Sequence, residues 1–350
     1  MSNELFLILL ATLFGASFTW AFKTLPQENW QIIASVPKTK DAEGRWRGLN
    51  LTYYGFFQAT SSTLGVVMML ILLGAIGVPW WETFILLIAI FAICWPSSRL
   101  IARLVEKKQH TFTIGGALFA GTIVAPWIIQ LINLGIADAF GKRLPVTPAL
   151  AAAATAYAYG EGFGRLSCIS FGCCYGKKVE QLAKPLRRIF ESANFVFAGS
   201  TKKVAYEGNM EGMQVVPVQA MTAVIYTVTA LAGTYLYLKS YFVTSLMLVM
   251  ITTQVWRILS EILRADFRGK ANFFSAYQLM AILIIVYLFV IVMVFAGAAP
   301  GADLMAGFNS LWNPLILLLC QANWLTIFLI TGRSMVTGST LTFFVHRDRI

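Results

Sequence analysis

The stretch GRLSCISFGCCYG, residues 164–176, sets one arginine and three cysteines among glycines and apolar residues. An arginine fork suits bidentate recognition of phosphate. A charge at membrane depth is costly and ordinarily marks a pathway or a substrate site. Arg165 also has Glu161 four residues earlier, with Gly160 and Gly164 on the same helical side. An intrahelical ion pair with close helix packing is therefore the competing explanation. The thiols Cys168, Cys173 and Cys174 are spaced C-x4-C-C. Zinc sites ordinarily present two ligand pairs, and the chain has no second pair, so the spacing predicts no metal. Arg165 is the electropositive neighbour that a reactive thiolate at Cys168 would need. A small, packed side chain is the plainer role for that cysteine.

A second cluster is WRILSEILRAD, residues 256–266, in which Arg257, Glu261 and Arg264 stand at i, i+4 and i+7. That spacing puts all three on one helical face. A shared polar site and snorkelling at a helix end explain it equally well. Two arginines from different helices facing one pocket would clamp the phosphate of a phospholipid headgroup or of its leaving group. In TFTIGGALFAG, residues 111–121, Gly115 and Gly116 allow a backbone or an acyl chain to approach closely.

The elements that must position these residues are membrane spans. The 350 residues are 58% hydrophobic and 12% charged, with a mean hydropathy of +0.70. A soluble domain is about 45–50% apolar and about a quarter charged, which excludes an ordinary water-soluble protein. Apolar runs near the ~20 residues needed to cross a bilayer fall at about 4–22, 54–78, 82–98, 112–136, 148–170, 217–238, 241–263, 274–297 and 310–331. The first carries Glu4 and no basic start, so a retained span is expected rather than a cleaved leader. Residues 99–109 place Leu100, Ile101, Leu104 and Val105 against Arg103 and Lys107, as in a helix lying in the interface. Residues 171–216 are polar and basic and are expected to form a small cap. With alternating spans, only Lys142, Arg143 and Lys239 of the 27 Lys and Arg fall on the face opposite Arg165. The positive-inside rule makes the basic face cytoplasmic. Five scattered cysteines do not make a disulfide scaffold, and two histidines leave little for imidazole chemistry.

In the order of these features the chain resembles the prolipoprotein diacylglyceryl transferase family. The resemblance runs from about residue 50 to 297 and rests on Gly164, Arg165 and Gly176, on Tyr54-Gly55, on Gly115-Gly116, on Asp138, on Pro217 and Gln219, and on Arg257, Glu261 and Arg264. It implies an all-α polytopic membrane protein with a seven-helix core over 50–297, the cap included. Residues 1–49 and 298–350 would add one transmembrane helix at each end. It implies transfer of diacylglyceryl from phosphatidylglycerol to a lipobox cysteine thiol, with glycerol 1-phosphate released and with no metal or cofactor. Arg165, Arg257 and Glu261 would be catalytic. Tyr54, Gly115, Gly116, Gly164, Cys168, Gly176, Gln219 and Arg264 would bind substrate. The partners would be an anionic phospholipid and a prolipoprotein, not nucleic acid, in a bacterial inner membrane, with the active face away from the cytoplasm. The chain departs from the family at Ile114 (family His), at Cys168, Phe171 and Cys173 (family Asn, Asn and Glu), and at Met221 and Thr222 (family Tyr and Glu). A phospholipid-binding or lipid-transporting protein of the same fold is the alternative these departures leave open, and a structural subunit is a third.

Overall fold

The computed structural model describes residues 2–107, 112–140, 143–269, 273–295, 297 and 299–350, without the side chains of 136–140. Asp138, His110 and Thr111 therefore lie outside what is described. The long helices are α1 (Asn3–Thr24), α2 (Tyr53–Ala75), α3 (Trp80–Ile101), α4 (Ile114–Phe140) and α5 (Val146–Phe171), then α8 (Val218–Leu238), α9 (Phe242–Leu263), α10 (Ala276–Phe295) and α12 (Pro314–Thr331). Among the described residues, eight helical segments are long and apolar enough to cross a membrane. The ninth long helix, α5, fails on apolarity for a physical reason. It sits in the middle of the bundle against α2, α8 and α9, and twenty of its 26 residues are buried. A helix that faces other helices needs small residues for close approach rather than lipid-like ones. Gly160 and Gly164 supply this, since a Cβ on either would lie 3.2–3.3 Å from Ser61 or Gln58 of α2. The protein is thus an all-α polytopic membrane protein.

Hydrogen bonds sort the helix ends into two layers. At one end Thr52 N–H donates to Gly332 O at 2.9 Å and Lys177 N–H to Leu263 O at 2.9 Å, while Lys202 Nζ reaches Leu25 O at 3.0 Å. At the other end Lys239 pairs with Glu4 at 3.3 Å, Thr147 Oγ1 donates to Phe295 O at 2.7 Å, and Asp303 N–H donates to Ala75 O at 2.8 Å. Consecutive long helices run in alternate directions, α5 included, as the sequence reading requires.

Two local outcomes differ from expectation. In the predicted interfacial helix at 99–109, residues 99–106 instead continue α3 and pass into a π-helical turn over Ala102–Glu106, while 108 and 109 lie outside the described residues. Glu106 there accepts from Tyr277 Oη of α10 at 2.7 Å, and that tether holds the turn in the bundle. The basic loop at 23–53 contains β1 (Ile32–Lys40) and β2 (Trp46–Thr52), and β5 (Arg333–Leu341) completes an antiparallel sheet of order β1-β2-β5. The N-terminal and C-terminal parts of the chain are therefore joined to each other. Gly55 of α2 meets the backbone of Gly332 and Thr331 so closely that a Cβ has no room.

The expected cap holds α6 (Lys184–Ser192), the short α7 (Lys203–Tyr206) and a small ladder of β3 (Phe195–Val196) with β4 (Gln214–Val215). It docks on the turn after α1. Ala198 N–H donates to Pro26 O at 3.1 Å, and Gln31 and Thr201 exchange bonds of 2.9 and 2.8 Å. On the opposite layer the short α11 (Leu304–Leu311) packs Gly307 against the Ile71 carbonyl of α2.

Candidate functional site

The site forms where α5 and α9 approach the cap. Arg165 is buried and paired with Glu161 one turn back, so the intrahelical pair expected as the competing explanation does exist. That pair uses Nη2. The buried Nε of Arg165 has no hydrogen-bond partner among the described residues. Arg257 on α9 is also buried. Its Nη2 donates to Tyr157 Oη at 2.9 Å, and its Nε is likewise without a partner among the described residues. Tyr157, Glu161 and Arg165 stand at i, i+4 and i+8 on α5, so one stripe of that helix meets Arg257 of α9. Glu161 lies near enough to act on both guanidiniums. Tyr157 is the residue that reading by composition missed, although its four-residue spacing from Glu161 was there to find.

Gly115 of α4 closes this space. A Cβ there would stand 2.8 Å from Arg257 Nη1 and 2.8 Å from the Tyr277 ring. Gly116 presses on Ile101 instead, with its added Cβ 2.8 Å from that side chain. One of the paired glycines therefore touches the arginine and the other only packs α4 on α3.

The predicted stripe of Arg257, Glu261 and Arg264 does not hold together. α9 ends at Leu263 and Arg264 is extended, with φ −82° and ψ 152°. Arg264 leaves the helical face and binds Asp266 bidentately at 2.7 and 2.6 Å. Glu261 pairs with Arg268 at 3.3 Å, and Arg268 lies over the Tyr277 ring at 4.1 Å. Glu261 is thereby tied into a neighbouring cluster rather than to Arg257. The backbone of Arg264 forms a bridge with Gly176. Gly176 is wedged against Val216, whose Cβ would lie 2.7 Å from an added Cβ. Its place in the signature is thus taken up by close backbone packing.

The cysteines converge, against the spacing argument. The sulfur atoms of Cys168, Cys173 and Cys174 all lie within 4.8 Å of one another. Gly172, at φ +73°, ends α5 and turns the chain. Cys173 N–H donates to Cys168 O at 3.0 Å, and Cys174 is itself left-handed at φ +56°. Gln219 at the start of α8 donates to Cys173 O at 2.8 Å and holds the turn from outside. Hydrogen bonds from the Cys168 and Cys173 thiols hold Cys174 well below the ordinary thiol range, and the Arg264 and Arg165 guanidiniums add to this. Tyr54 packs edge-on to Phe171 at 5.6 Å and lies within electrostatic reach of the three sulfurs and Arg165. The expected substrate residues thus split. Arg165, Arg257, Glu161 and Gly115 gather in one buried cluster. Tyr54, Cys168 and Gln219 surround a thiol cluster, while Gly164, Gly116 and Gly176 pack the frame. No protein-family model matches the chain, and no curated protein matches it.

Proposed function

We propose that this protein is a membrane transferase that holds the phosphate of an anionic phospholipid between Arg165 and Arg257 and moves its diacylglyceryl group to a thiol acceptor. The observation that carries this reading is two buried guanidiniums on different helices, each with an Nε left without a partner among the described residues. Buried polar groups are normally satisfied, so two such donors in one buried cluster call for an anion. In the reaction the acceptor sulfur bonds to the glycerol carbon as the bond from that carbon to the phosphate oxygen breaks. The electron pair leaves with the phosphate, where preorganised arginines in a dry site stabilise the developing charge. The thiol proton goes to a carboxylate. Glu161 takes that role in preference to Glu261 because it stands beside both arginines, whereas Glu261 pairs with Arg268 in the neighbouring cluster. Tyr157 orients Arg257, and Gly115 leaves it room. The setting is a bacterial inner membrane, in line with the resemblance to the diacylglyceryl transferases.

One observation favours the second reading, a phospholipid binder without turnover. The carboxylate nearest the arginines is engaged in an ion pair with Arg165. Both readings are tested with purified protein, labelled phosphatidylglycerol and thiol-bearing peptides. A transferase releases glycerol 1-phosphate and a thioether-linked lipid. Arg165→Ala and Arg257→Ala then lower turnover by about a hundredfold or more, the usual loss for one donor at a developing anion. Bound lipid without release selects the binder, and turnover unchanged in both variants removes the arginines from either role.

A further inference from the structure

We propose that Cys168, Cys173 and Cys174 form a three-thiolate site for a soft, filled-shell cation, and that copper(I) is the ion it fits. The inference does not rest on the phospholipid reading. The three sulfurs lie within 4.8 Å of one another. Three sulfurs around an ion at bonds of about 2.3 Å stand roughly 4 Å apart, so an ion seats between them without displacing a helix. The backbone is shaped for this convergence. Cys168 is fixed in the last turn of the most buried helix, and Cys174 is held left-handed at φ +56°. That conformation is unfavourable for a side-chain-bearing residue, and such strain collects where a site is built. In return it folds the third sulfur back toward the first.

The donor set selects the ion. Among the described residues no carboxylate or imidazole joins the three thiols as a fourth ligand atom. Structural zinc takes four ligands, and iron–sulfur clusters are ordinarily held by four cysteines. Soft thiolates select copper(I), which accepts trigonal coordination. Three thiolates and one monovalent ion leave two negative charges. The guanidiniums of Arg165 and Arg264 act on Cys174 from beside the cluster and lessen that charge, each while shared with a carboxylate, Glu161 or Asp266. On binding, each S–H proton passes to solvent as its S–Cu bond forms. No electron moves, because the metal enters and remains as copper(I).

The experiment is an anaerobic titration of the full-length protein in detergent with copper(I), against a chromophoric copper(I) chelator. One equivalent is expected to stay with the protein, and Cys168→Ser, Cys173→Ser and Cys174→Ser each weaken retention a hundredfold or more. Cys94→Ser and Cys320→Ser leave it unchanged, since both thiols lie elsewhere in the bundle. A second measurement needs no variant to fold. Copper(I) should shield these three cysteines of the wild-type chain from maleimide and leave Cys94 reactive to the same degree as before. X-ray absorption should show three sulfurs at about 2.3 Å. Unchanged alkylation with copper(I) present, or retention surviving the three serine variants, overturns the site. Tighter retention of zinc(II) in a parallel titration overturns the choice of ion.

Discussion

A guanidinium buried in a membrane bundle costs several kcal/mol unless its donors find acceptors, and Arg165 and Arg257 meet that demand only in part. Lys202 shows the contrasting case of a buried cation whose contacts are structural. It is fully buried in the cap, and its Nζ donates to Ser170 O at 2.6 Å and Leu25 O at 3.0 Å. The ammonium thus ties the end of α5 to the end of α1. Burial lowers its pKa from 10.5 to about 8, opposed by Glu28. The folded chain therefore binds this proton less tightly than the unfolded chain. Below about pH 8 both states are protonated and the cost of burying the charge is present in full. As pH rises from about 8 toward 10.5 the folded lysine loses its proton first and that cost is relieved. Stability of the cap, read by hydrogen exchange or limited proteolysis, should rise across that window by on the order of 3 kcal/mol at the limit. Lys202→Met should abolish the rise and lower stability at neutral pH, because two buried carbonyls lose their donor. A wild-type profile that is flat from pH 8 to 10 would show that the lysine is not desolvated.

At the scale of elements, the two glycines that frame the arginine signature separate once their neighbours are known. A Cβ on Gly164 would meet the ends of Gln58 and Ser61 at 3.2 Å, side chains that can shift. A Cβ on Gly176 would run into the backbone and Cβ of Val216, which cannot move without opening the contact between cap and α9. Gly176→Ala should therefore cost about 1–3 kcal/mol, the usual range for overpacking, and should raise protease sensitivity of the cap. Gly164→Ala should stay within about 1 kcal/mol; thermal unfolding in detergent compares the two, and equal losses would contradict the assignment. The sequence carried the helices because apolar length is a strong signal. It also carried Arg165, Glu161 and Arg257, since charge is rare in such runs. It could not carry the thiol cluster, which depends on left-handed turns at Gly172 and Cys174. Nor could it carry the exit of Arg264, because helical spacing continues on paper past the residue where α9 stops. The sheet escaped for another reason: β2 and β5 lie at opposite ends of the chain, with Arg47 opposite Thr340.

The whole molecule poses a question of direction. The alternation of nine long helices puts the cap, the sheet and both site arginines at one end, with Lys239 and Glu4 at the other. Folded domains such as the cap translocate largely regardless of charge, so the short connections carry the orienting signal. Among the described residues, those at the site end hold Arg103, Lys107, Arg264 and Arg268, while Arg143 and Lys239 stand at the far end. The bias survives the removal of the cap and predicts a cytoplasmic site end. The chain terminus after β5 lies in the same layer, because β5 pairs with β2. A fluorescent protein fused after Ile350 should therefore mature in the cytoplasm, and an alkaline phosphatase fused there should stay inactive. That result would place Arg165 and the thiol cluster in the cytoplasmic half of the bilayer, so the thiol acceptor would be an intracellular one and copper(I) would be drawn from a reducing compartment. An active phosphatase fusion would reverse the orientation, return secreted lipoproteins as acceptors, and show that the arginines were placed for the substrate's phosphate rather than for topology.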